Sequence, residues 1–275
     1  MTTSYAISPD LTPGLCVHIE AAVLETGKLI REHNRRPRNI RCKTSLKDLV
    51  TETDGAVESM LRESLGALVP QAAFLGEEGS PDQGLDGLCW VVDPLDGTTN
   101  FAHGVPFIAT SVALCMNGEP LLGIVNLPLL GEVFVAAKGQ GARMNGQAIS
   151  VSAISGLGSA LVATGFPYRI VDHRASILRQ LELAMPATQG VRRAGAAALD
   201  LAFVACGRYD GFFEFALNPW DTAAGVLLIQ EAGGRIGTML SQEPYRLGGP
   251  DILATNSLLF DPLQDLLKAA AATIP

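Results

Sequence analysis

Mixed α and β is the fold class that the sequence predicts, with an N-terminal α+β half containing an antiparallel sheet and a C-terminal α/β half. Three observations predict it. Two helix-period segments come first, five strand-like runs separated by turn residues follow, and strand and helix segments then alternate to the end. The expected halves are residues 1–152 and residues 153–275.

Residues 12–33 read as a helix, because Leu15, Ile19, Ala22, Val23 and Ile30 share one face at the 3.6 period. Thr12 suits its cap and Pro13 its first turn. A basic stretch follows, holding eight of the 20 Lys and Arg residues between Lys28 and Lys47. Its excess of positive charge suits either a solvated segment or a means of concentrating an anionic substrate. A second helix is expected from Asp54, acting as its cap, with Val57, Met60, Leu61, Leu65 and Leu68 inward. The period then changes. Residues 72–75, 88–92, 107–116, 121–127 and 132–136 read as strands, and Asn117-Gly118 and Asn145-Gly146 as hairpin turns. Beyond residue 152, strands are expected at 160–164, 210–215 and 252–254. Helices are expected at 173–185, 195–206, 221–232 and 258–272.

Charge and hydropathy exclude several classes. The 275 residues carry 28 acidic and 20 basic side chains, a net charge of −8, which argues against direct nucleic-acid binding. With 48% hydrophobic and 17% charged residues, the chain has the composition of a large packed core rather than a disordered one. Mean hydropathy is positive at +0.26, yet no uncharged apolar run approaches the roughly 18 residues of a spanning helix. MTTSYAISPD shows neither a basic nor an apolar leader segment, and the five cysteines form no CxxC pair. We therefore expect a cytoplasmic protein with reduced thiols, no signal peptide and no membrane partner.

The chemistry concentrates where carboxylates end apolar runs. These are Gly76-Glu77-Glu78-Gly79, the run from Trp90 to Phe101 (WVVDPLDGTTNF), and Asn218-Pro219-Trp220-Asp221. Carboxylates crowded at strand ends repel one another unless a cation lies between them. All-oxygen donors favour Mg²⁺ or Mn²⁺ over zinc. In Asp93-Pro94-Leu95-Asp96 the proline stiffens the turn, so that both carboxylates and the Leu95 carbonyl can face one point. The N–H groups of Gly97, Thr98 and Thr99 can open a helix, and a helix N-terminus beside a divalent ion suits phosphate. The chain has no P-loop, HExxH or GxSxG, so the simplest reading is a metal-dependent phosphatase.

These residues resemble the inositol monophosphatase family, within the lithium-sensitive, magnesium-dependent phosphatases. DPLDGTTNF and the distal NPWDTAAG (Asn218–Gly225) carry the resemblance, with the GEE at Glu77-Glu78 and DLVTETD (Asp48–Asp54) in family order. The resemblance covers nearly the whole chain and implies a layered αβαβα sugar-phosphatase fold. Glu77, Asp93 and the Leu95 carbonyl would hold one metal, and Asp93, Asp96 and Asp221 a second. Glu77 would help hold a looser third, with Lys43 near it. Two to three Mg²⁺ ions per subunit are implied, with Mn²⁺ as a substitute. Thr98, hydrogen-bonded to Asp54, would orient the attacking water together with Glu77, and the Gly97 and Thr98 amides would bind phosphate. Glu214, Gly195, Ala196 and Ala197 would contact the alcohol. The implied substrate is inositol 1-phosphate or a similar small polyol or sugar phosphate. Fructose 1,6-bisphosphate and histidinol phosphate are the alternatives that relatives process. A homodimer is implied, and some bacterial relatives also bind the transcription machinery in ribosomal RNA synthesis, which stands as an alternative of another class.

Overall fold

The structure is a computed structural model that describes residues 11–36, 40–42, 49–80, 84–167 and 170–272. It contains α1 (Pro13–His33), β1 (Ile40–Cys42), β2 (Leu49–Thr51), α2 (Glu52–Leu68), β3 (Ala73–Gly76), β4 (Leu88–Asp96), α3 (Thr98–His103), β5 (Ala109–Met116), β6 (Glu119–Leu127), β7 (Glu132–Ala137), β8 (Ala142–Met144) and β9 (Gln147–Ile149). The second part adds β10 (Leu161–Thr164), α4 (Ile170–Ala187), β11 (Gly190–Arg192), α5 (Ala197–Ala205), β12 (Gly211–Phe215), α6 (Pro219–Glu231), β13 (Arg235–Gly237), β14 (Asp251–Thr255) and α7 (Phe260–Ala272).

These elements stack in five layers. A seven-stranded sheet runs β3 to β9 in chain order, and a five-stranded sheet has the order β11-β10-β12-β14-β13. Helices α1 and α2 cover the outer face of the first sheet, α4 and α7 that of the second, and α5 and α6 lie between the two. The expected αβαβα layering is thus present. In the first sheet every pairing is antiparallel except β3 with β4, so the sheet is mixed rather than purely antiparallel. In the second, β10 pairs in parallel with β11 and β12, while β14 runs antiparallel to β12 and β13. We propose a division near residue 152, in the connection between the sheets; the core between the sheets draws on both halves.

Strand β4 shows why its sequence is a continuous apolar run. Leu88, Trp90 and Val92 pack toward α1 and α2, while Cys89 and Val91 pack toward α5 and α6. A strand covered on both faces loses the polar–apolar alternation. The same burial explains α5, whose nine residues are all buried, because a helix sandwiched between two sheets is apolar all round.

Several sequence boundaries shift. Helix α2 begins at Glu52 with Thr51 as its cap, so Asp54 is not the cap. Asp54 instead lies at the third helical position and reaches back to Thr51 in a capping box. Strand β4 runs on through the carboxylates to Asp96, α5 starts two residues later than expected, and α6 begins at Pro219. The three-residue strands β1, β2, β8, β9, β11 and β13 are too short to carry a period and were not legible as strands. Both expected hairpin turns form, with φ positive at Asn117, Gly118, Asn145 and Gly146 as a type I′ turn requires.

Close packing of the middle layer depends on absent side chains. A Cβ at Gly123 on β6 would lie 2.8 Å from the Ala224 carbonyl oxygen of α6. Gly123→Ala should therefore lower stability by about 1–3 kcal/mol, read as a lower urea midpoint. An unchanged midpoint would show that α6 can retreat from the sheet.

Candidate functional site

The site forms where β4, α3, α5, α6 and the loop after β3 meet. Pairing of β4 with β5 shifts register between Asp93 and Asp96. Residues three apart on a regular strand face opposite sides, and one extra residue in a bulge returns them to the same side. Pro94, which has no N–H to donate, sits inside this irregularity, and its carbonyl accepts the Thr110 hydroxyl at 3.0 Å. The bulge thus turns two carboxylates from one strand toward a common region.

Main-chain amides hold one oxygen of each aspartate. Asp93 Oδ1 accepts the Leu95 N–H at 2.9 Å, Asp96 Oδ2 the Ala198 N–H at 2.7 Å, and Asp221 Oδ2 the Asn218 N–H at 2.7 Å. Asp96 in this way caps α5, whose own cap residue, Ala196, has no side chain for the task. Each carboxylate keeps further lone pairs for other partners.

Thr98 opens α3. Its hydroxyl lies 3.1 Å from both Asp54 Oδ1 and the Leu95 carbonyl oxygen, so its single proton is shared between two acceptors. Asp54 Oδ2 accepts the Thr51 N–H at 2.9 Å and the Thr51 hydroxyl at 2.5 Å. Gly97 precedes α3 at φ 85°, and a Cβ there would lie 2.8 Å from the Phe107 carbonyl oxygen, so only glycine fits.

Each of the two sequence signatures is tied by hydrogen bonds to a segment outside it. The Ser111 hydroxyl donates to the Trp220 carbonyl at 3.1 Å, and Asn100 Nδ2 donates to the Phe107 carbonyl at 2.7 Å and the Ala194 carbonyl at 2.9 Å. A cavity of about 450 Å³ opens where they meet. Its walls include Asp96, Gly97 and Thr98 on one side and Gly195, Ala196, Ala197, Glu214 and Asp221 on the other. Asp54, Glu77, Asp93 and Leu95 are not wall residues of this cavity. Lys43 lies outside the described residues.

The electrostatics are those of an uncompensated acidic centre. Burial pushes the Asp93 carboxyl well above its ordinary range, and Glu77, Asp96 and Asp221 push it further by like-charge repulsion. Burial raises Asp96 to about 7, against the opposing Ala198 amide. Asp221 is raised by burial and then by Asp96 and Glu77. Burial also raises Asp54, and raises Glu214 to about 8 against the nearby Arg193 guanidinium. Among the described residues, no three His, Cys, Asp or Glu side chains already converge on one point as ion ligands. The donor set nonetheless fits a hard cation. It consists of oxygens, is buried at Asp93 and half-buried at Glu77, Asp96 and Asp221, and carries more negative charge than Arg193 offsets.

Two cavity residues escaped the sequence reasoning. Asp200 on α5 is 1% exposed, and its Oδ1 has no hydrogen-bond partner. An acid within an otherwise apolar helix was the legible signal for it. Arg193 lines the cavity beside the Phe166 ring at 5.3 Å, and nothing in its sequence context distinguished it from Arg192.

A model of the inositol monophosphatase family matches residues 10–274. A Synechocystis protein named inositol-1-monophosphatase is 41% identical over 96% of this chain and 91% of its own length. A Pseudomonas aeruginosa protein named Nus factor SuhB is 44% identical over 79% of this chain and 82% of its own. Among solved structures, the Thermotoga maritima IMPase superposes with a TM-score of 0.86 at 32% identity, covering 96% of this chain and 100% of that one.

The raised Glu214 carboxyl makes stability pH-dependent in metal-free protein. Between its ordinary value of 4.5 and about 8 the folded state keeps a proton that the unfolded state has released. Stability is therefore greatest below that window and falls as pH rises through it. In EDTA, Tm should decline from about pH 6 to about pH 8, and Glu214→Gln should flatten the decline. An identical slope in the Gln protein would refute the assignment.

Proposed function

The chain belongs to the inositol monophosphatase family and is a phosphomonoesterase, and from that premise we propose that it hydrolyses inositol 1-phosphate or a similar small polyol phosphate in a Mg²⁺-dependent reaction. The observation that carries this reading is the set of three aspartates, buried Asp93 and half-buried Asp96 and Asp221, each with one oxygen fixed by a backbone amide. Metal dependence is general in the family; the identity and number of ions are our assignment. Glu77, Asp93 and the Leu95 carbonyl would hold one ion, and Asp93, Asp96 and Asp221 a second. Glu77 would also hold a looser third. When bound, Mg²⁺ would activate water, neutralise phosphate oxygens and stabilise the departing alkoxide.

The chain's own groups do the rest. Thr98 and Glu77 would orient the attacking water, and Asp54 fixes the Thr98 hydroxyl from behind. The Gly97 and Thr98 amides, at the start of α3, would bind the phosphate. Glu214, Gly195, Ala196 and Ala197 line the opposite wall, where the alcohol would sit. Glu214 would accept hydroxyl hydrogen bonds there. Its carboxylate packs so close to Gly165 that a Cβ at that glycine would lie 2.0 Å away.

Two further assignments follow. No described helix is long and apolar enough to cross a membrane, and we place the protein in the cytoplasm. We also propose a homodimer. Val171, Leu178 and Met185 on α4 are 78%, 60% and 60% exposed at seven-residue spacing, which puts them on one helix face. Light scattering should give a dimer mass, and Leu178→Glu should shift it toward monomer. A monomeric wild type would remove the proposal.

A second reading has a specific observation behind it, since the Pseudomonas aeruginosa and Escherichia coli relatives are named Nus factor SuhB. Under it the protein would also bind the transcription machinery. Asp93→Asn separates the two readings. It should reduce phosphate release about a hundredfold or more, the loss of several kcal/mol of charge stabilisation, with an unchanged circular dichroism spectrum. Retained turnover would refute the site. Rescue of a deletion strain by the inactive protein would favour the binding role. Comparing kcat/KM for inositol 1-phosphate, fructose 1,6-bisphosphate, histidinol phosphate and 3′-phosphoadenosine 5′-phosphate in Mg²⁺ tests the substrate.

A further inference from the structure

We propose that Glu58 is a positioning residue for Glu77, so that successive turns of α2 set both groups assigned to orienting water. The proposal rests on the reading above. Asp54 and Glu58 lie four residues apart on α2, hence on one face, and both are buried. Asp54 holds Thr98. Glu58, 4% exposed, holds the loop that carries Glu77, since its Oε2 accepts the Glu78 N–H at 2.8 Å.

The attachment is rigid on every side. Glu58 Oε1 pairs with Arg62 at 3.0 Å. Arg62 also donates to the Ser80 hydroxyl at 3.0 Å and lies 4.0 Å over the Phe74 ring. Ser80 in turn donates its hydroxyl to the Phe74 carbonyl at 2.8 Å, and its N–H to the Gly76 carbonyl at 3.4 Å. The loop sits so near Glu58 that a Cβ at Gly76 or Gly79 would come within 2.5 Å of its carboxylate. Glu77 itself donates its N–H to the Val92 carbonyl at 3.3 Å, one residue before Asp93. The backbone of Glu77 is thus clamped between α2 and β4.

An ion pair serving stability alone would need only the half-exposed Arg62 beside Glu58. The charged acceptor here is spent on the amide adjacent to Glu77, and a charge-assisted hydrogen bond is among the stronger constraints a side chain can impose on a loop. Groups that orient metal ligands from behind typically change metal affinity about 10- to 100-fold when removed.

The test compares wild type, Glu58→Ala, Glu58→Gln, Glu77→Ala and the Glu58→Ala/Glu77→Ala double variant. Mn²⁺ binding is measured by electron paramagnetic resonance without substrate, beside the Mg²⁺ activation constant, kcat and Tm. Glu58→Ala should weaken Mn²⁺ binding about tenfold and raise the Mg²⁺ activation constant more than it lowers kcat. Glu58→Gln, which keeps an acceptor for the Glu78 amide, should recover most of the loss. In the Glu77→Ala background Glu58→Ala should change Mn²⁺ binding no further, because both act through one group. A lower Tm with unchanged Mn²⁺ binding, or additive losses in the double variant, would overturn the proposal. Should Glu58→Ala fail to fold, Glu58→Met, which fills the same space but offers the Glu78 amide no carboxylate, takes its place with the same expectations. A wild type that binds no Mn²⁺ would instead overturn the metal-dependent reading itself.

Discussion

Crowding of carboxylates around the buried Asp93 is the constraint around which the rest of the structure is arranged. Asp93, Asp96 and Asp221 are each raised by desolvation and by the charge of Glu77, and Asp96 adds to the field at the other two. Left alone, such a cluster opposes folding. Part of the opposition is met by positive partial charge on backbone amides, two of them at the starts of α5 and α6. Those helix starts accept negative charge readily, so placing acids there costs less than elsewhere in the core. The remaining repulsion is what a divalent cation would relieve, and it links the protein's stability to its proposed catalytic state.

The five-layer architecture serves this cluster. The middle layer must bring α5 and α6 close enough to both sheets for their N-termini to reach the end of β4. Small residues make that possible, as at Gly123 against Ala224, and within the middle layer Gly225 lets α6 approach α5, since its Cβ would lie 2.5 Å from the Leu201 Cβ. Asn100 and Asp96 then fasten the first signature to the Ala194–Ala198 segment, and Ser111 on β5 fastens the second to the first sheet, through backbone carbonyls and an amide. Because the fastening uses main-chain atoms, the geometry is insensitive to which apolar side chains fill the neighbouring core. The opposing cavity wall varies in chemistry instead, with Glu214, Asp200 and Arg193 at its surface.

Helix α2 has a comparable economy. Its capping box uses Thr51 and Asp54 to satisfy the amides that every helix N-terminus exposes. The same Asp54 offers its other oxygen to Thr98, so one residue terminates a helix and anchors a site. Local and tertiary roles coincide here, which is why the sequence rule for a helix start found the right residue in the wrong position. A cap was expected at Asp54; the third helical position is what leaves a carboxylate free to point inward.

Particular residues mark how far the sequence reaches. The apolar run from Leu88 to Val92, the Asn-Gly turns and the carboxylates after strand-like runs are local patterns, and local patterns determine element type, layering class and the chemistry of the donor set. The three-residue strands were invisible because their existence depends on a neighbour's hydrogen bonds rather than on any period of their own. Asp200, Arg193 and Glu58 were missed as site components because their significance lies in what packs beside them, from segments up to about 20 residues or more away in the chain (Glu58 to Glu78 among them). The sequence by itself therefore determined that carboxylate oxygens would gather at the ends of apolar runs, the donor set from which we propose a hard-cation and phosphate site. Only the tertiary structure decided which of those oxygens are held by amides, which residues wall the cavity, and which helix touches the loop of Glu77, because each depends on contacts between segments that no local pattern encodes.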